Sequence, residues 1–105
     1  MIDKADKVKW LSEFTGLCRE IAALEDTSAN IQSQVFERAI SDRLEECERI
    51  AAAIENIQDV TLREVLLNRY VEGMAWEKVA LAMNYSIKHV HRLHNKGLEQ
   101  LEITK

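Results

Sequence analysis

Proline is absent from this 105-residue chain, glycine occurs three times and cysteine twice. Without proline, no helix interior carries a residue that lacks an N–H and clashes with the preceding turn. With 47% hydrophobic residues, the chain is expected to be one all-α unit, too short for two large cores. It has no glycine-rich phosphate loop and no Ser/His/Asp or Cys/His set on a recognisable scaffold. The carboxylates fall on solvated helical faces, so no enzyme and no cofactor is expected. The spacing of Cys18 and Cys47 matches no zinc or redox motif, and two buried free thiols in a reducing compartment are expected. No run of 18 apolar residues and no charged-then-apolar leader occurs, which predicts a soluble, cytoplasmic chain without a membrane partner.

A metal site is not expected either. His91 and His94 are three residues apart and His89 is close by, but His89 and His91 point about 200° apart on a helix. No Cys, Asp or Glu adjoins them to complete a tetrahedral shell. His94, near the apolar boundary of its helix, is expected to pack with one ring nitrogen hydrogen-bonded.

Charge of one sign is missing locally. Residues 1–60 carry seven basic and thirteen acidic side chains, net −6, whereas 61–105 carry seven and five, net +2. Between Lys78 and Glu99 there is no acid at all. Lys78, Lys88, Arg92 and Lys96 therefore create a local positive field, the electrostatic footprint that a phosphate backbone requires.

That basic stretch, AWEKVALAMNYSIKHVHRLHNKGLEQL from Ala75 to Leu101, reads as two short helices joined by a three-residue turn, the pattern of a helix-turn-helix. Val79 and Met83 share one face of the first helix and small Ala80 stands at the crossing. Asn84 can take the left-handed conformation that ends it. Ser86 is a good N-cap for the second helix, on which Val90, Leu93, Gly97 and Leu101 share one side with Leu98 at its margin. Ile87, Lys88, His91, Arg92 and Asn95 lie opposite, where a recognition helix meets base edges. Ser86 is expected among the DNA contacts as well, Lys78 and Lys96 on the backbone flanking the groove, and Trp76 to cover the core or reach a phosphate with its indole N–H.

Upstream, Thr61 and Glu64 form a capping-box pattern with Val60 and Val65 as a staple, and Gly73 suits the end of that helix. Arg69 is expected to pair with Glu77 across the turn. Three helices thus end the chain.

The segment TLREVLLNRYVEGMAWEKVALAMNYSIKHVHRLHNKGLEQL resembles region 4 of bacterial sigma-70 factors, which reads the promoter element near minus 35. More closely, RYVEGMAWEKVA, NYS and RLHNKGLEQL behind an acidic helical stretch are similar to small phage and prophage regulators of the ArpU/RinA-like late-gene activator class. The resemblance covers about the last 45 residues. It implies a phage or prophage transcriptional regulator acting on double-stranded DNA in a bacterial cytoplasm, with host RNA polymerase as a further partner. Early recognition-helix positions that touch bases and phosphates in that family match Ile87, Lys88, His91 and Arg92. Ala75 stands where Ser or Thr usually caps, a difference of about 1 kcal/mol. Asn84 replaces a turn glycine, and Ile87 can touch a thymine methyl but cannot hydrogen-bond a guanine. No counterpart of the sigma region that melts the minus 10 element is present, which fits an accessory regulator.

Residues 1–58 read as an acidic helical region for packing or oligomerisation, and 59–105 as the sigma region 4-like unit. Trp10, Phe14, Leu17, Ile21 and Leu24 are spaced 4, 3, 4, 3, as in a coiled-coil seam. After a polar break at DTSAN, residues 26–30, a second pattern runs through Val35, Phe36, Ile40, Leu44, Cys47, Ala51, Ile54 and Ile57. It is one long helix or two, with a fresh start at Asp42–Glu45. The expected outcome is a helical hairpin that forms a homodimer, with an intramolecular core as the alternative. Two other functions use the same parts: a ring-forming phage DNA-packaging recognition subunit, and an RNA polymerase-binding adaptor that does not touch DNA.

Overall fold

The computed structural model describes residues 3–28 and 34–103, with the side chains of Thr27, Ser28 and Phe36 outside the description. All its regular elements are helices. They are α1 (Lys4–Ser28), α2 (Gln34–Glu55), α3 (Val60–Leu66) running on into a π-helical turn (Leu67–Val71), α4 (Trp76–Met83) and α5 (Ile87–Gln100).

Helices α1 and α2 pack antiparallel, tied by Trp10 Nε1 donating to Glu46 Oε1 at 2.7 Å and by Arg43 to Glu20 at 2.6 Å. Glu46 also accepts from Arg49, and these two donors hold its carboxyl below the usual carboxylate range. The expected break at DTSAN is helical through Ser28, and its last two residues lie outside the described residues. Helix α2 is continuous, without the fresh start at Asp42–Glu45. Its buried face is Cys47, Ile50, Ala53 and Ile54, with Ile57 buried just beyond its end, whereas Val35 and Leu44, expected in that stripe, are exposed. Phe36 was expected there as well and lies outside the described side chains. The 3.6-residue helix admits 47, 50 and 54 to one side and turns 44 toward its margin.

The α1 seam faces inward. Leu11 and Ile21 are buried, and Trp10, Phe14 and Leu17 are half-buried against a core drawn from both halves of the chain: Leu11, Ile50, Ile54 and Ile57 with Leu62, Leu66, Tyr70, Leu98 and Leu101. Lys7 Nζ also reaches the Leu98 carbonyl at 2.6 Å, placing a cation at the last turn of α5, where the helix dipole favours one. The boundary read at 58/59 therefore falls within a shared core. Cys47 is buried but Cys18 is exposed, which corrects the expectation of two buried thiols. Burial, reinforced by the neighbouring Cys18 thiol, pushes the Cys47 thiol up to about 11.

The start of α3 also differs from expectation. Its cap is Asp59, whose carboxylate accepts from the N–H of Thr61 and Leu62 at 3.0 and 3.2 Å. Thr61 lies inside the helix and Val60 is 55% exposed, so the Thr61/Glu64 box and the Val60 staple are not what starts it. An ionised Asx side chain two residues earlier satisfies the same orphan donors and adds charge at the positive helix end. At the other end Gly73 adopts φ +70°, as expected, and the Met74 N–H reaches the Asn68 carbonyl at 3.0 Å across it.

Candidate nucleic-acid interface

Helix α4 begins at Ala75, which offers no side-chain cap, and ends at Asn84, left-handed at φ 60°, ψ 43°. There the Tyr85 N–H closes onto the Ala80 carbonyl at 2.9 Å, the wide hydrogen-bonded ring that accompanies a left-handed helix end. Ser86 is extended, and its hydroxyl accepts the His89 N–H at 3.1 Å, starting α5. Both turn residues thus act as the sequence predicts. Val79, Ala80 and Val90 are buried with Val65 of α3 in a second, small cluster; Ala80 at the crossing lets α4 and α5 approach. Gly97 does the same for α5 against α3, since a Cβ there would sit 3.3 Å from Leu66 Cδ1. Leu98, expected at the margin of the buried side, is fully buried.

With Val90, His94, Gly97 and Leu98 turned inward, the opposite side of α5 is open. Ile87 is 42% exposed, and Lys88, His91, Arg92, Asn95 and Lys96 are exposed on the same helix. At 100° per residue Lys88, His91, Arg92 and Asn95 form one stripe with Lys96 at its edge. Lys78 is exposed on α4. Ser86 is exposed too, but its oxygen is engaged as a cap. No acid lies on α5 before Glu99.

Trp76 is half-buried between the two helices. Its ring lies 4.6 Å from the His91 ring and 4.8 Å, edge-on, from that of His94. The Arg69 guanidinium sits 4.6 Å over its centroid, and Arg69 Nη1 donates to the Met74 carbonyl at 2.9 Å. Arg69 therefore makes no ion pair with Glu77 among the described residues; it braces the α3–α4 connection through a backbone acceptor and an aromatic face. A loop carbonyl and a π face together occupy a planar guanidinium better than one exposed carboxylate does.

His94 is buried, and its Nε2 lies 2.7 Å from the Tyr70 hydroxyl, as expected of a packed histidine with one nitrogen bonded. A neutral ring protonated at Nδ1 accepts the Tyr70 proton there. Burial, foremost, and the nearby His91, Arg69 and Lys4 charges push its pKa down to about 4. Burial also raises the Tyr70 pKa. The brace of Arg69, Tyr70, Trp76 and His94 was only partly legible in the sequence. Arg69 and Tyr70 carry no local motif, and only the 24-residue reach from Tyr70 to His94 brings the polar atoms together.

Among the described residues no group of three His, Cys, Asp or Glu could hold a metal ion, and no helix is long and apolar enough to cross a membrane. Compared with protein-family models, curated proteins and solved structures, the chain has no match.

Proposed function

We propose that the chain is a sequence-specific DNA-binding transcriptional regulator of phage or prophage genes, in which α4 and α5 are a helix-turn-helix of the sigma region 4 type and α5 enters the major groove. The observation that carries this reading is the acid-free exposed stripe of α5, held at a fixed angle to α4 by a left-handed Asn84 and a capping Ser86. Lys88 and Arg92 are assigned to base edges and neighbouring phosphates, with Ile87, His91 and Asn95 beside them. Lys78 and Lys96 are assigned to the backbone. Trp76, wedged between Arg69 and His91, sets the orientation of the stripe and is the weakest member of the contact set.

A helical pair, α1 and α2, forms the remainder of this architecture. The seam that motivated a homodimer through residues 1–58 is used inside the chain, so pairing of copies uses the outer surface, where Val35 and Leu44 are exposed. Host RNA polymerase stands as a partner on the resemblance alone.

The test is retention of source-genome fragments on the purified protein at about 150 mM salt, followed by sequencing. Recovery of one or a few discrete sites, lost in Lys88→Ala/Arg92→Ala, is the expected result. Uniform retention, or none, removes the reading.

A further inference from the structure

A second basic feature lies away from α5. An open cleft of about 360 Å³ between α1 and the π turn is lined by Ser12, Thr15, Arg19, Arg69, Tyr70 and Gly73. Two arginines line it and no acidic residue does, in a chain that carries 18 acids against 14 Lys and Arg. The Arg19 side chain takes part in no hydrogen bond or ion pair among the described residues. Arg69 commits one nitrogen to the Met74 carbonyl, which leaves most of its five N–H donors free. The Thr15 hydroxyl makes only a long, exposed 3.4 Å contact to the Ser12 carbonyl and can turn to an incoming oxygen. The Ser12 hydroxyl donates to the Val8 carbonyl at 2.7 Å, so Thr15 is the hydroxyl donor. Guanidinium groups with a hydroxyl beside them suit a tetrahedral oxyanion, and the volume falls in the range of small-ligand sites.

We infer that this cleft binds a phosphate group, with Arg19 and Arg69 as its charged clamps. The group belongs either to a free phosphate-bearing ligand or to a DNA strand running past the α5 face; the chemistry of capture is the same. Arg69 also lies over Trp76, which touches His91. Occupancy of the cleft is therefore linked to the α5 stripe by two side-chain contacts.

The test is a titration of the full chain with inorganic phosphate, followed by amide NMR, against chloride at equal ionic strength. Saturable shifts at Ser12, Thr15, Arg19 and Gly73, complete by about 10 mM and weakened about tenfold in Arg19→Gln, are expected. Arg19 is exposed, so that variant keeps the fold. The proposal is overturned by shifts no larger than those with chloride, or by shifts that Arg19→Gln leaves unchanged. If DNA supplies the phosphate, the same variant also lowers the salt slope of DNA binding by about one. If the ligand is free, DNA binding is unaltered while phosphate binding still weakens about tenfold. The phosphate titration needs no DNA and stands or falls apart from the proposed regulator function.

Discussion

Helices α1 and α2 and helices α3 to α5 use the same 3.6-residue periodicity to opposite ends. In the first pair the apolar face is spent on the shared core, and the outer face mixes acids with bases, of which two pairs are bound, Glu20 with Arg43 and Glu46 with Arg49. In the second group the helices are short, their ends are set by single residues, and α5 presents cations that no described acid neutralises. The difference teaches that exposed charge by itself is uninformative here. What separates a solvated face from a candidate binding face is whether acids are interspersed among its cations and whether the backbone around them is held.

The comparison is broken most forcefully in the core the two regions share. Ile54 of α2 and Leu66 of α3 are both fully buried, and truncation of either to Ala should cost about 2–5 kcal/mol. Because one core spans both regions, each variant should lower a single melting transition followed by circular dichroism. Two separable transitions would show that the regions stand independently.

Acid should act next. His94 is held neutral, with a pKa of about 4 against an ordinary value of 6.5, so the unfolded chain binds its proton first. Its contribution is fully present above about pH 6.5 and is lost as pH falls toward 4, amounting to as much as ~3 kcal/mol. Urea midpoints measured from pH 7 to 4 should fall, and His94→Gln should flatten the fall. An unchanged slope in the variant would place the acid sensitivity elsewhere.

The charge contrast makes a milder prediction. Lys88→Ala and Arg92→Ala should each cost about 1–3 kcal/mol of specific DNA binding at an unchanged melting temperature. Arg43→Ala with Arg49→Ala removes as much charge from the other region and should leave DNA affinity within twofold. Equal losses from both double variants, read by fluorescence anisotropy, would reduce the interface to bulk charge. The smallest effect is at the turn: Asn84→Gly should keep or raise stability by up to about 1 kcal/mol, because glycine takes positive φ without steric cost.

Legibility in the sequence followed how local the determining physics is. The Asn84 bend, the Ser86 cap, the Gly73 stop and the Ala80 crossing each depend on one residue and its immediate chain neighbours, and each is found where the pattern puts it. The cap of α3 was misread because Thr61 and Asp59 are both competent and lie two residues apart. Arg69 was assigned to Glu77 because a nearby opposite charge is visible in a string of letters, whereas a carbonyl and an indole face become acceptors only once the chain has folded. The destination of the α1 seam was ambiguous for a related reason. A 4, 3, 4, 3 spacing states that a face is apolar, not whose surface covers it. Here α2 covers most of it, with the π turn and α5 closing over the rest.

The most direct test of the DNA-facing assignment is amide NMR of the full chain with a duplex recovered from the source genome, compared with a scrambled duplex of equal length. The account predicts that shifts specific to the recovered duplex concentrate on residues 86–96 and Lys78. Specific shifts confined to α1 and α2, or identical shifts with both duplexes, would contradict it.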